Sequence, residues 1–71
     1  MQHVTLRQQA YAKIKEMLIL GEFPAGSSLS ETQLAKDLGM SRTPIREAIR
    51  QMEMEGILEY SPRFSVVVKK P

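Results

Sequence analysis

Residues 30–56 read SETQLAKDLGMSRTPIREAIRQMEMEG, and this stretch decides the fold. Ser30 is followed three residues later by Gln33, a spacing that predicts a capping box at the start of a helix. Gly39 is placed to end that helix in a left-handed cap. One face of the helix is apolar and would be buried, through Leu34, Ala35 and Leu38. The sequence therefore predicts a short amphipathic helix between Ser30 and Gly39.

A longer helix is predicted directly after the Gly-Met-Ser turn at residues 39–41. Thr43 followed by Pro44 fits an N-cap followed by a proline in the first turn, and Ser41 is an alternative N-cap. Gly56 is placed to close this helix. Its apolar positions repeat at i, i+3, i+4 and i+7, through Ile45, Ala48, Ile49 and Met52. Two helices joined by so tight a turn are typical of a helix-turn-helix.

The segments on either side predict a third helix and a wing. A stripe of apolar residues at helical spacing indicates a first helix, which Gly21 is placed to end. That stripe consists of Leu6, Ala10, Ile14, Met17 and Leu18. Residues 23–26, Phe-Pro-Ala-Gly, are typical of a turn. Two short β-type runs, 57–60 and 65–69, flank residues 61–64 and predict a hairpin. The predicted fold class is mainly α with a small β-hairpin: a winged helix-turn-helix of three helices plus a wing, filling residues 1–71 as one domain.

Composition excludes several classes of protein. A chain of 71 residues supplies one small core, which is too little for an elaborate buried active site. The chain has no cysteine and a single histidine, His3, so we expect no metal site and no cofactor. The longest apolar run, residues 17–20, is far shorter than the ~18 residues of a membrane span, and the first residues do not resemble an export signal. We therefore expect a cytoplasmic protein with no membrane partner and no enzymatic activity.

Positive charge is concentrated in the second half of the chain. Residues 1–40 hold equal numbers of basic and acidic side chains, so residues 41–71 carry the whole net charge of +2. Arg42, Arg46 and Arg50 lie at i, i+4 and i+8 on the second helix of the helix-turn-helix. These three residues, called the Arg stripe below, fall within ~80° of the helix surface and point away from its apolar face.

The charged residues of the second helix are placed unfavourably relative to its own dipole. Arginines lie near the positive N-terminal end of the helix dipole, whereas Glu53 and Glu55 lie near its negative end. An anion bound at the N-terminal end would offset this unfavourable placement of positive charge. DNA phosphates would be attracted there by the helix dipole, by free backbone N–H groups and by the arginines together. Arginine also reads guanine edges bidentately, and a helix-turn-helix directs this helix end into the major groove. The sequence therefore predicts binding of double-stranded DNA, with Arg63 at the hairpin tip as a further contact.

Two other interpretations of the Arg stripe stay open. It is a solvated helix face with salt bridges from Glu47, or it belongs to a winged-helix protein-interaction module that binds an acidic partner. A nuclease is a third class, but it needs clustered carboxylates or histidines for a metal or a base, and the sequence holds no such cluster.

Three segments of the chain match a known bacterial pattern. They are FPAGSSLSE at residues 23–31, LAKDLGMSRTPIREAI at residues 34–49 and EGIL at residues 55–58. Over about residues 6–69 the chain resembles the GntR family of bacterial repressors, and within it the FadR-like branch, which has an all-helical effector domain. The run SRTPIREA at residues 41–48 is highly specific to that family.

The resemblance implies a dimeric transcription factor whose winged helix binds a short palindromic operator. It also implies that the start of the recognition helix enters the major groove and that the wing reaches the minor groove. On this basis Ser41, Arg42, Thr43 and Arg46 match the positions that contact DNA in the family.

Two positions depart from the family pattern. Thr32 stands where many members of the branch carry arginine, so a hydroxyl contact to phosphate would replace a cationic one. Ser65 stands where the wing commonly has glycine, which allows a closer backbone approach to the groove. Members of the branch also carry a C-terminal domain that binds a metabolite and makes most of the dimer contact. We expect the 71 residues to lack that domain, as an expressed fragment or a truncated product, and to be monomeric when free.

Overall fold

Three helices and a small antiparallel sheet make up the computed structural model, which describes residues 4–60 and 66–69. The helices are α1 (Leu6–Ile19), α2 (Glu31–Leu38) and α3 (Arg42–Met54). The strands are β1 (Ser28–Leu29), β2 (Leu58–Tyr60) and β3 (Val66–Val68). This is the predicted winged helix-turn-helix, with one strand that the sequence did not indicate. None of the helices in the described residues has the length and hydropathy needed to cross a membrane.

The N-terminal ends of α1 and α2 are fixed by side-chain caps. At α1, Thr5 and Gln8 form a complete capping box, with hydrogen bonds of 2.9 and 3.0 Å in the two directions. At α2, the Ser30 hydroxyl accepts from the Gln33 backbone N–H at 3.2 Å, as predicted. The Gln33 side chain instead donates to Asp37 at 2.8 Å. The capping box predicted at α2 is therefore only half formed, because the i, i+4 acceptor captures the amide.

The turn between α2 and α3 sets the geometry of the helix-turn-helix. Gly39 ends α2 in the left-handed region, with φ 66, and the Met40 N–H donates to the Ala35 carbonyl at 2.9 Å. Ser41 then takes the N-cap position of α3, which decides between the two caps that the sequence allowed. Pro44 lies in the first turn of α3, where its missing N–H would have had no helical acceptor.

The sheet ties the wing to the start of α2. Its strand order is β1-β3-β2, so β3 is central and pairs antiparallel with both neighbours. Leu29 lies opposite Val66. The pairing is extended by two backbone hydrogen bonds, from the Gly26 N–H to the Val68 carbonyl at 2.8 Å and from the Val68 N–H to the Ser27 carbonyl at 2.9 Å. Since β1 leads directly into α2, the base of the wing and the helix-turn-helix form one connected unit.

The core lies between α3 and the other elements. Every apolar position predicted for α3 is buried, together with residues from α1, α2 and all three strands. The buried set is Ala10, Ile14, Leu29, Leu34, Ala35, Ile45, Ala48, Ile49, Met52, Leu58 and Val66. Leu6 was predicted to lie on the buried face of α1 but is 57% exposed. It lies in the first turn of α1, and the contact of this helix with the core begins at Ala10.

Candidate nucleic-acid interface

The two faces of α3 are sharply different. Its apolar face packs into the core, whereas Arg42, Arg46 and Arg50 are all exposed on the opposite side. The exposure of the Arg stripe that the helical spacing predicts is therefore confirmed. Packing of the apolar face holds the helix rigidly while the arginine side chains face solvent.

The N-terminal end of α3 presents unsatisfied polar groups. Ser41, Arg42 and Thr43 are exposed there, and the Ser41 side chain makes no capping hydrogen bond. Backbone N–H groups in the first turn of a helix have no acceptor within the helix, so this end attracts negative charge. The first turn of α3 holds no acidic residue that would satisfy it internally.

Arg46 forms an ion pair that links α3 to α2. Its Nε atom lies 3.3 Å from Oε1 of Glu31, at the long end of hydrogen-bonding distance. Within residues 4–60 and 66–69 this is the one ion pair closer than 4.0 Å. The Arg46 and Glu31 side chains are 48% and 28% exposed, so the pair contributes only about 0.2–1 kcal/mol to folding. The solvated-face interpretation assigned the partner role to Glu47, and the structure assigns it to Glu31.

Arg50 has different surroundings from Arg46. It lies at the edge of a shallow depression between α1 and α3, which is lined by Arg7, Glu47, Arg50, Gln51 and Met54. Although Glu47 shares this depression, no ion pair within 4.0 Å joins it to Arg50. The guanidinium of Arg50 is therefore available to a partner.

A cleft between α2 and the sheet extends the polar surface. Thr32 is exposed in the first turn of α2, and it lines this cleft together with residues of β1, β2 and β3. The full lining is Ser28, Leu29, Ser30, Glu31, Thr32, Tyr60 and Val66. Because Glu31 lines the cleft and also contacts Arg46, the cleft is continuous with the Arg stripe. The other two predicted contacts, Arg63 and Ser65, lie outside the described residues, while Lys69 is exposed just after β3.

The acidic end of α3 has a structural partner. The Tyr11 hydroxyl on α1 donates a hydrogen bond to the Glu55 carboxylate, and Gln51 donates to the same carboxylate at 3.4 Å. The hydrogen bond from Tyr11 to Glu55 raises the pKa of Tyr11 above its usual 10.0, and partial desolvation and the negative charge of Glu55 act in the same direction. Contacts within the protein thus account for Glu55, whereas Arg42 and Arg50 have no ion pair within 4.0 Å among the described residues.

Comparison with known proteins matches nearly the whole chain to one family. The model of the family "Bacterial regulatory proteins, gntR family" matches residues 6–68. The uncharacterised helix-turn-helix transcriptional regulator YdhC of Bacillus subtilis is 47% identical over 60 residues, which cover 82% of this chain and 27% of that protein. The transcriptional regulator McbR of Escherichia coli is 37% identical over 68 residues, covering 96% of this chain and 31% of McbR.

Solved structures resemble the chain closely in three dimensions. The structure of Lar, described as controlling the expression of the Listeria monocytogenes agr system, superposes with a TM-score of 0.91 at 30% identity. The superposition covers 99% of this chain and 33% of Lar. The chain therefore spans about a third or less of the length of these relatives.

Proposed function

The chain belongs to the GntR family of bacterial regulatory proteins, and we propose that it is the module with which a regulator of this family binds its operator. The observation that carries the proposal is the exposed Arg stripe, which begins in the first turn of α3 within a helix-turn-helix. A recognition helix enters the major groove by this end. The family is one of regulatory proteins, and the sequence likewise lacks the clustered groups of a nuclease.

The positions along α3 divide the contacts into two classes. Arg42 and Arg46 lie in the first turns, where side chains reach base edges, and we assign base reading to them. Ser41 and Thr43 flank Arg42 at the helix end and are assigned to phosphate oxygens. Arg50 lies a further turn along, towards the rim of the groove, and is assigned to the phosphate backbone.

The remaining contacts come from α2 and the wing. Thr32, exposed in the first turn of α2, is placed to donate its hydroxyl to a phosphate. Arg63 and Ser65 are proposed to contact the minor groove, in keeping with the family pattern. A narrow minor groove has an enhanced negative potential that attracts arginine, so Arg63 is the stronger of these two contacts.

We further propose that two copies bind the two halves of a short palindrome. A dimeric helix-turn-helix protein reads half-sites about one helical turn apart, and its own two-fold symmetry matches that of the operator. A C-terminal domain of the FadR-like type would hold the copies together, respond to a metabolite and make the regulator a repressor that occludes a promoter in the cytoplasm. Without such a tether, each 71-residue chain binds its half-site independently and therefore weakly.

Selection of bound sequences from a random duplex pool tests the proposal. The chain should enrich a short motif, and an inverted repeat of that motif should be retained at higher protein concentration. The variant Arg42→Ala/Arg46→Ala should lose the enrichment. The control variant Lys13→Ala/Lys15→Ala removes two exposed positive charges from α1 and should keep the enrichment. If the chain retains no duplex from the pool but binds an acidic protein saturably, the protein-interaction alternative is favoured instead.

A further inference from the structure

We propose that Glu31 determines the base specificity of the chain by holding Arg46, through its Nε atom, in the orientation that reads a guanine. The inference rests on the proposed function, because it assumes that Arg46 faces DNA. It assigns a role to an acidic residue within a surface that otherwise attracts phosphate. Glu31 is thus a positioning residue, and Arg46 is the residue that touches the base.

The contact joins Glu31, whose backbone is held in place, to the longer and more flexible side chain of Arg46. Glu31 is the first residue of α2, and the backbone around it is held by the Ser30 cap and by the 2.9 Å hydrogen bond from the Leu34 N–H to the Ser30 carbonyl. Arg46 reaches it from α3, fifteen residues further along the chain. Since both helices are anchored in the core through Leu34 and Ile45, the backbone of Glu31 has a defined position relative to α3.

The atom that Glu31 engages decides what Arg46 has left to offer. A guanidinium has five N–H donors in a fixed plane, and the Nε–H is taken by the carboxylate. The two terminal nitrogens then form an end-on fork, which matches the O6 and N7 acceptors of guanine. An arginine without this restraint can turn the same donors to any nearby phosphate, because phosphate oxygens also accept bidentate pairs.

The charge of Glu31 acts in the same direction as its position. A carboxylate beside Arg46 repels phosphates and so disfavours the binding mode in which Arg46 contacts only the backbone. Specificity is a difference between two affinities, and a repulsive group that weakens the unwanted mode increases that difference. Glu31 therefore lowers affinity for random duplex while it raises the preference for the operator.

Three single substitutions separate position from charge. The quantity measured is the ratio of the dissociation constants for random duplex and for the operator selected by the unmodified chain. Glu31→Gln removes the charge, so affinity for random duplex should rise about threefold and the ratio should fall about tenfold. Glu31→Asp keeps the charge but withdraws the carboxylate by one methylene, so the ratio should fall with little change in affinity for random duplex. The control Glu16→Gln makes the same charge change at an exposed site on α1 and should leave the ratio unchanged.

The salt dependence and a double-mutant cycle give readouts that a merely structural role would not move. Glu31→Gln frees Arg46 for a phosphate, so the slope of log K against log salt on random duplex should steepen by about 0.9. In an Arg46→Ala background, Glu31→Gln should cause no further loss of the ratio, because the group that it positions is gone. Arg46→Lys should behave like Arg46→Ala, since lysine cannot bind Glu31 and present a planar fork at once.

The outcomes distinguish this inference from the function on which it rests. A ratio within twofold of the unmodified chain in both Glu31 variants, checked for helix content by circular dichroism, overturns the inference while leaving DNA binding intact. An equal loss of the ratio with and without Arg46 also overturns it, because Glu31 would then act through the stability of α2. Absence of any operator preference in the unmodified chain overturns both.

Discussion

The affinity of the chain for random duplex should fall steeply with salt, and Arg50→Ala should make that fall shallower. Random duplex offers no specific base contact, so four cationic side chains are expected to neutralise phosphates on it: Arg42, Arg50, Arg63 and Lys69. Arg46 is left out of this count because Glu31 holds it for base contact. At a slope of about −0.9 for each phosphate neutralised, four contacts give about −3.6. Raising salt from about 50 to about 200 mM should then weaken binding about 150-fold, against about 40-fold for Arg50→Ala.

The structure makes Arg50 the cleanest side chain for this measurement. It is exposed and has no ion pair within 4.0 Å in the described residues, so the substitution breaks no salt bridge. Alanine is also the better helix former, and the change removes a like-charge neighbour of Arg46. The variant should therefore fold normally, and any change in slope reports the contact with DNA.

Fluorescence anisotropy titrations of a labelled random duplex, repeated over a series of salt concentrations, give the slope directly. Lys13→Ala is the matched control, because it removes one exposed positive charge from α1 and should leave the slope unchanged. A slope near zero for the unmodified chain would refute the electrostatic reasoning as a whole. An unchanged slope in Arg50→Ala would refute the assignment of that residue to the backbone.

Four further results are expected. Arg42→Ala and Arg46→Ala should each reduce the preference for the operator over random duplex by about 1–3 kcal/mol in competition titrations; folded variants that keep their base preference would show that the Arg stripe is a solvated face. The 71-residue chain should sediment as a monomer at micromolar concentration because its core consumes its main apolar faces, and a tight dimer would contradict this. Gly39→Ala should lower the free energy of unfolding by about 1–2 kcal/mol in urea titrations, because Gly39 has φ 66, a conformation that costs alanine backbone strain. The added Cβ meets nothing within 4 Å, so a steric clash does not contribute. Gly39→Asn should cost less, and an equal loss would count against backbone strain as the cause. Because the pKa of Tyr11 is raised in the folded chain, the Tyr11 hydroxyl stabilises the fold below pH 10.0, and this stabilisation is lost as pH rises through the folded pKa. In unfolding measurements over a pH series, Tyr11→Phe should remove this loss of stability at alkaline pH. A loss that persists in the variant would assign it to another group.

Local signals in the sequence were sufficient for the helices and for the turn between them. The spacing of Ile45, Ala48, Ile49 and Met52 placed the buried face of α3 correctly, and Gly39 marked the end of α2. These features depend on residues at most a few positions apart, where helical geometry dictates which side chains share a face. The exposure of the Arg stripe followed from the same arithmetic.

Features that depend on distant parts of the chain were not predicted. A strand of two residues, Ser28–Leu29, has no periodicity to recognise, and its partner β3 lies more than half the chain away. The contact between Glu31 and Arg46 joins two helices and has no helical spacing, so no local pattern of the sequence indicates it. The packing of α2 on α3 had to be known before these two side chains could be brought together.

The central position of β3 has a consequence for the order in which the molecule forms during synthesis. The ribosome delivers β1 and β2 first, yet neither pairs with the other, because both bind to the strand between them. The three-stranded sheet therefore cannot assemble until Val66–Val68 have emerged, whereas α1, α2 and α3 all precede β3, and both α1 and α2 contact α3 directly. A chain that ends at residue 60 would contain all three helices but would lack the strand that pairs with both β1 and β2. We therefore expect the sheet to form last, after the three helices have begun to pack.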